Sequence, residues 1–86
     1  MKTIWKYELK TTDVQEIEMP KNSKILCVHV QNGIPCIWCF VDTEKPISSI
    51  TIRTFGTGHE FDHSKYIEYV GTYQLFDGNG VFHVFA

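Results

Sequence analysis

A two-residue alternation of apolar and polar side chains recurs along almost the whole chain and constrains its fold more than any other feature. In residues 3–10, Trp5, Tyr7 and Leu9 share one face of an extended strand, and charged residues occupy the positions between Trp5 and Leu9. No segment longer than a turn or two shows the 3.6-residue period of an amphipathic helix. The sequence therefore predicts an all-β fold, with one short helical turn at most, at residues 63–66.

Turn-forming residues divide this pattern into six to seven strands. Proline cannot donate a hydrogen bond to a sheet, so Pro20 ends the second strand, and Asn32-Gly33 is typical of a type I′ hairpin turn. Gly71, inside the sixth strand, indicates a bulge. The predicted strands are 3–10, 14–19, 24–31, 36–41, 48–55, about 66–76, and 81–85. Short strands separated by turns predict a small antiparallel barrel or sandwich.

The length of 86 residues, without repeats or linkers, predicts one domain that spans residues 1–86. A chain of this size buries only about 60–65% of its unfolded surface, so self-association often supplements its stability. Residues 36–41 are apolar on both faces of their predicted strand, which would need cover on both sides. We therefore expect a homo-oligomer.

The cysteines do not indicate a disulfide scaffold, because there are three of them. Cys36 and Cys39 form a CxxC pattern, but residues three apart in a strand face opposite sides of the sheet. The sequence therefore predicts buried, reduced thiols. No secretion signal or membrane span is visible, and these features together predict a cytoplasmic protein without membrane contact.

The charge balance argues against general nucleic-acid binding. The net charge is −2 and the sequence pI is about 6.0, so the chain lacks the positive field that non-specific phosphate contact needs. A local cluster of donors can still hold a small charged ligand.

The clearest candidate site is the loop Gly56-Thr57-Gly58-His59, which follows the fifth predicted strand. Its glycines allow successive backbone N–H groups to form a concave anion-binding nest, or they serve turn geometry alone. Thr57 and His59 add side-chain hydrogen bonds, Arg53 offsets ligand charge, and an exposed tyrosine stacks on a base. The predicted ligand-binding residues are Arg53, Gly56, Thr57, Gly58, His59, Tyr66 and Tyr69.

Other chemistry has less support in the sequence. His59 and His63 have the ligand types for zinc, but the H-E-x-x-H order is absent, and a solvated loop is the alternative. His29 and His83 lie on predicted strands, where we expect hydrogen-bonded core or interface residues. No nucleophile motif is present. We therefore expect a non-enzymatic protein with no metal and no cofactor.

Short segments spread over nearly the whole chain resemble a family of small, uncharacterised phage and prophage proteins. The resemblance implies a viral or mobile-element setting inside a bacterium, and it implies no catalytic residues. The matching segments are Ile4-Trp5-Lys6-Tyr7, Met19-Pro20, Lys24-Ile25-Leu26, Val30-Gln31, Pro35-Cys36-Ile37-Trp38, Val41-Asp42, Gly56-Thr57-Gly58-His59, Tyr69-Val70-Gly71-Thr72 and Val81-Phe82-His83-Val84-Phe85.

Three function classes follow. The leading one is a small-molecule binder that inhibits host defence by sequestering an anionic signalling nucleotide. The alternative is a protein-interaction or virion-associated module that binds a host or phage protein through Trp5, Tyr7, Trp38 and Phe85. Metal-dependent hydrolysis by His59 and His63 comes last.

Overall fold

The computed structural model describes residues 1–62 and 67–86 and confirms the all-β prediction. One 3₁₀ turn, Phe76–Gly78, follows the sixth strand; Phe76 has φ of 57° and therefore leaves the strand that the sequence extended to this residue. The predicted helical turn at residues 63–66 and the predicted start of the sixth strand lie outside the described residues. The strands are β1 Lys2–Glu8, β2 Val14–Pro20, β3 Lys24–Gln31, β4 Ile34–Asp42, β5 Ile47–Gly56, β6 Tyr69–Leu75 and β7 Gly80–Phe85.

The strands form two antiparallel sheets that enclose one core. The first sheet has three strands in the order β1-β4-β3, and the second has four in the order β2-β5-β7-β6. Ile37, Ile52 and Val84 are fully buried between them. Burying a side chain of this size contributes roughly 1.5–3 kcal/mol, so the inward faces of β4, β5 and β7 hold the fold together.

The two sheets approach each other closely at Gly71 of β6. A Cβ atom at this position would lie 2.5 Å from Val28 Cγ1 on β3, a distance that real structures do not tolerate. The pairing of β6 with β7 also shifts register between Tyr69 and Gly71, which confirms the predicted bulge. Glycine is therefore needed where β6 meets β3.

A second bulge, in β3, interrupts the two-residue alternation that runs through residues 24–31 of the sequence. Strict alternation would place Leu26 and Val28 on the same face of the strand. The pairing of β3 with β4 shifts register between Ile25 and Cys27, so Ile25 packs against the core and Leu26 is 46% exposed. A simple alternation cannot anticipate the extra residue that a bulge inserts.

Strand β4 is apolar on both faces, as the sequence predicted, but part of its outer face is covered by the protein itself. Lys6 Nζ donates a 2.8 Å hydrogen bond to Gln31 Oε1, so the Lys6 side chain crosses over β4. Cys36 is buried on this side, whereas Phe40 is 42% exposed. The outer face of the three-stranded sheet therefore keeps an apolar surface.

The remaining local predictions concern the cysteines and the first hairpin. Cys39 faces the core and Cys36 the outer side; burial, reinforced by Cys27, raises the pKa of the Cys39 thiol to about 11. Asn32 and Gly33 have φ of 53° and 80°, which confirms the predicted hairpin turn. Within the described ranges, no helix has the length and apolar character needed to cross a membrane.

Candidate functional site

The outer face of the four-stranded sheet, which we call the site face, brings together side chains from β5, β6 and β7. Thr54 and Val84 point into the core, so their neighbours along β5 and β7 point outward. The strand register then places six outward side chains in two adjacent rows: Phe55, His83 and Thr72 in one, and Arg53, Phe85 and Tyr69 in the other.

Four of the side chains near this face form a continuous chain of hydrogen bonds, which we call the hydroxyl–imidazole row. Tyr69 Oη and Thr72 Oγ1 share a hydrogen bond of 2.5 Å. Thr72 Oγ1 lies 2.9 Å from His83 Nδ1, and Thr57 Oγ1 lies 2.6 Å from His83 Nε2. Both ring nitrogens of His83 are therefore engaged by hydroxyl groups, one from β6 and one from the loop after β5.

The loop that carries Thr57 does not form the predicted backbone nest. The Thr57 N–H donates to the Val81 carbonyl at 3.2 Å, and the His59 N–H donates to the Gly56 carbonyl at 3.1 Å. Gly58 has φ of 86°, so its glycine serves the geometry of this turn. Because two of the amides are used inside the protein, an anion must be held here mainly by side chains.

His59 packs on the turn and leaves a hollow beside it. A Cβ atom at Gly56 would lie 2.9 Å from His59 Cε1, so the imidazole covers Gly56 directly. A depression of about 350 Å³ adjoins this turn, lined by Gly56, Thr57, His59 and residues 79–82. The His59 side chain therefore packs directly on Gly56. Thr57 and His59 both line the depression, where a ligand could contact them.

An aromatic cluster covers the centre of the site face. Phe61, from the loop after β5, stacks on Phe55 with ring centroids 3.9 Å apart and an interplanar angle of 13°. Phe85 contacts both rings at 5.5–5.7 Å, and Tyr69 meets Phe85 edge-on at 5.6 Å. Tyr69 is 60% exposed and presents the cluster to solvent.

Among the described residues of β5, β6 and β7, Arg53 is the cation on the site face. Arg53 is exposed and forms no ion pair or hydrogen bond with any other described residue. It lies in register with Phe85, which in turn pairs with Tyr69, so the guanidinium belongs to the Tyr69 end of the face. Glu60, Asp62 and Glu68 are exposed in the flanking segments.

The structure thus brings together some of the predicted ligand-binding residues and not others. Arg53, Thr57 and Tyr69 lie on or beside the site face, and His59 and the glycines lie in the adjoining turn. Tyr66 lies outside the described residues, as does His63 of the predicted metal pair. In the described parts of the chain, no group of three or more His, Cys, Asp or Glu side chains is placed to hold a metal ion.

Sequence reasoning did not predict five members of the site as ligand-binding residues: Phe55, Phe61, Phe85, Thr72 and His83. The last was expected in the core or in an interface, but it is a half-buried residue of the hydroxyl–imidazole row. The pairing of His83 with Thr72 could have been predicted from the sequence, because β6 and β7 are consecutive strands that form a hairpin. Phe55 requires the pairing of β5 with β7, which no local signal specifies.

The residues proposed as anchors of an interaction module are scattered. Trp5 and Tyr7 lie on β1 at the margin of the three-stranded sheet, and the Tyr7 hydroxyl is buried without a partner in the described structure. Trp38 is half-buried on β4, and Phe85 belongs to the aromatic cluster on the opposite sheet. These four side chains do not form one surface.

Comparison with known proteins gives a family and no function. The search of curated proteins and the search of solved structures each found no match. One family model matches residues 1–86, the whole length of the chain. The protein therefore belongs to the family described as "Domain of unknown function (DUF7352)".

Proposed function

We propose that this protein is a non-enzymatic binding protein for a small molecule that has a planar ring and an anionic group, as a nucleotide does. The observation that carries the proposal is the coincidence of three features on one exposed face. These are the aromatic cluster, the hydroxyl–imidazole row and an arginine without a partner among the described residues.

The planar ring would stack on the exposed side of the aromatic cluster. Tyr69 offers the most exposed ring of the four, and its neighbour Phe85 holds it in an edge-on contact. Stacking a base on an aromatic side chain contributes roughly 1–3 kcal/mol and does not require a particular base.

The anionic group would be held by side chains around this stacked ring. Arg53 supplies a permanent positive charge at the Tyr69 end, and the hydroxyl group of Thr57, which is held by His83, supplies a hydrogen bond at the other end. Hydrogen bonds to a charged group contribute roughly 1.5–3 kcal/mol. The acidic residues of the flanking segments favour a compact anion over an extended polyanion, in agreement with the net charge of −2.

The biological setting is part of the proposal. The resemblance to phage and prophage proteins favours a role inside a bacterial host, in the cytoplasm, where sequestering an anionic signalling nucleotide would block a defence response. Self-association through the outer face of the three-stranded sheet would leave the site face open, because the two faces lie on opposite sides of the molecule.

Native mass spectrometry of protein taken directly from expressing cells tests the proposal. We expect a retained small molecule that is released on denaturation and that absorbs as a nucleobase. Tyr69→Ala and Arg53→Gln should each reduce retention, and Lys24→Gln, on the other sheet, should not. His59→Ala should reduce retention with little change in melting temperature. Protein without any ligand, and without affinity for a panel of nucleotides, would remove the proposal.

A second candidate is the interaction module, which one observation favours. Ile4 and Phe40 face each other across β1 and β4 on the outer side of the three-stranded sheet, and both are exposed. Exposed apolar neighbours of this kind mark contact surfaces. If Phe40→Ser dissociates a stable oligomer while nucleotide retention is absent in both proteins, this candidate replaces the first.

A further inference from the structure

We infer that the hydroxyl–imidazole row binds an oxyanion together with a proton, so that His83 must be protonated for the tightest binding. This inference rests on the proposed function, since it concerns the anionic group of the same ligand. It follows from counting the hydrogen atoms that the four side chains of the row contribute and the bonds that consume them.

With His83 neutral, the row carries four polar hydrogen atoms: one on each of three hydroxyl groups and one on the ring. The three hydrogen bonds of the row consume three of them. One hydrogen therefore remains to point outward. If the Thr57 hydrogen points outward, His83 donates to Thr57, Thr72 donates to His83, and Tyr69 donates to Thr72. If the Tyr69 hydrogen points outward, all three bonds run in the opposite direction. A neutral row can offer a donor at one end only.

Protonation of His83 changes this count. The ring then donates from both nitrogens, to Thr72 Oγ1 and to Thr57 Oγ1, and the row holds five polar hydrogen atoms for the same three bonds. Two hydrogens now point outward, and the row carries a full positive charge. Because the protonated ring donates to Thr57, the Thr57 hydrogen must point outward, so a ligand oxyanion beside Thr57 always meets a donor as well as a charged partner.

The surroundings of His83 determine how this charge is felt. Phe55 of β5 and Thr72 of β6 are its uncharged neighbours in register, and Thr57 covers the other ring nitrogen. Arg53 lies two residues before Phe55 on β5 and is in register with Phe85 rather than with His83. His59 lies on the adjoining turn, and Glu60, Asp62 and Glu68 flank the face. No carboxylate of the described residues forms an ion pair with His83, so an incoming anion meets no competitor in direct contact with the ring.

By thermodynamic linkage, a ligand that prefers the protonated form of His83 binds more tightly at lower pH. The probe must keep its own charge over the pH range of the test. 2-Naphthalenesulfonate suits the purpose, because its sulfonate stays ionised at every pH used and its fused ring can stack on the aromatic cluster. 2-Naphthalenesulfonamide is the matched uncharged probe.

The test is calorimetric titration of both probes at pH 5.5 and pH 8.0. For the sulfonate we expect affinity about fivefold or more higher at pH 5.5, and for the sulfonamide no difference. His83→Gln, which keeps a hydrogen-bonding side chain but cannot be protonated, should remove the pH dependence and retain the weaker binding. Thr57→Val should reduce sulfonate affinity at pH 5.5. His29→Gln, on the outer face of the other sheet, is the control and should behave as the wild type.

The outcomes separate the two proposals. If the sulfonate binds equally at both pH values, or if His59→Gln rather than His83→Gln removes the difference, the inference is wrong while the proposed site survives. If neither probe binds at either pH, the proposed function itself fails. Melting temperatures of the variants show whether a loss of sulfonate binding reflects unfolding. If His83→Gln does not fold, the sulfonate affinity of Thr57→Val at pH 5.5, compared with that of His29→Gln, tests the inference.

Discussion

The outer faces of the two sheets differ in how their polar side chains are used. On the three-stranded sheet, Lys6 makes one bond across β4, and Ile4 and Phe40 lie exposed beside it. On the four-stranded sheet, hydroxyl and imidazole groups from β6, β7 and the loop after β5 converge into one row. The hydrophobic core lies between the inward faces of the two sheets, so both outer arrangements lie outside it. The convergence on one face only is therefore what distinguishes a candidate site from ordinary surface.

The largest expected effect tests the close contact between the two sheets at Gly71. Gly71→Val should lower the free energy of unfolding by about 3 kcal/mol, because the new side chain meets Val28. Chemical denaturation measures this loss. Adding Val28→Ala should recover part of it if the clash is the cause. Equal losses in the single and double variants would place the cost in the backbone of β6 instead.

The pH dependence of stability tests the burial of Cys39 on the inner face of the three-stranded sheet. The pKa of Cys39 is raised from 9.0 to about 11 in the folded protein, so the unfolded chain loses this proton first. The contribution of the protonated Cys39 thiol to folding stability is fully present below pH 9. It is lost as the pH rises from about 9 to 11, by about 2.7 kcal/mol. Burial also raises the pKa of Tyr7 and Tyr73. Denaturation in reductant should show a smaller loss in Cys39→Ala than in the wild type.

A direct comparison of the two faces uses one cation from each. Arg53→Gln should weaken binding of 2-naphthalenesulfonate by about tenfold, since it removes one charge-assisted contact. Lys24→Gln, which removes the same charge from the other face, should change the affinity by less than twofold. Similar losses in both variants would show that the probe responds to net charge and not to the site face.

The smallest expected effect concerns one buried hydroxyl in each sheet. The hydroxyl groups of Thr54 and Tyr7 are buried with no hydrogen-bond partner in the described structure. Thr54→Val should therefore raise the free energy of unfolding by about 1 kcal/mol, because valine keeps the shape and removes the unpaired group. Tyr7→Phe should give a smaller gain, since Tyr7 is only partly buried. A loss of stability in Thr54→Val would reveal a partner for its hydroxyl, such as a bound water.

The strands could be predicted because alternation is a local property of the sequence. The place of Ile37 and Ile52 in strands can be read from their neighbours alone, although the apolar residues on both faces of 36–41 do not show which face of β4 is buried. Leu26 departs from the alternation because a bulge adds a residue there without any local signal in the sequence, whereas the bulge in β6 is indicated by Gly71. The site was only partly predicted for the same reason. Thr57 and Arg53 stand out by residue type, but the partners of His83 depend on which strands become neighbours.

Gly71 stands between Tyr69 and Thr72, so one short strand carries both the contact between the sheets and two members of the candidate site. A molecule that binds only the native arrangement of these two side chains would stabilise the native state by mass action, by about 2.7 kcal/mol at a hundredfold excess over its dissociation constant. A thermal-shift screen of a metabolite library can therefore search for the natural ligand without an assay of its biological effect.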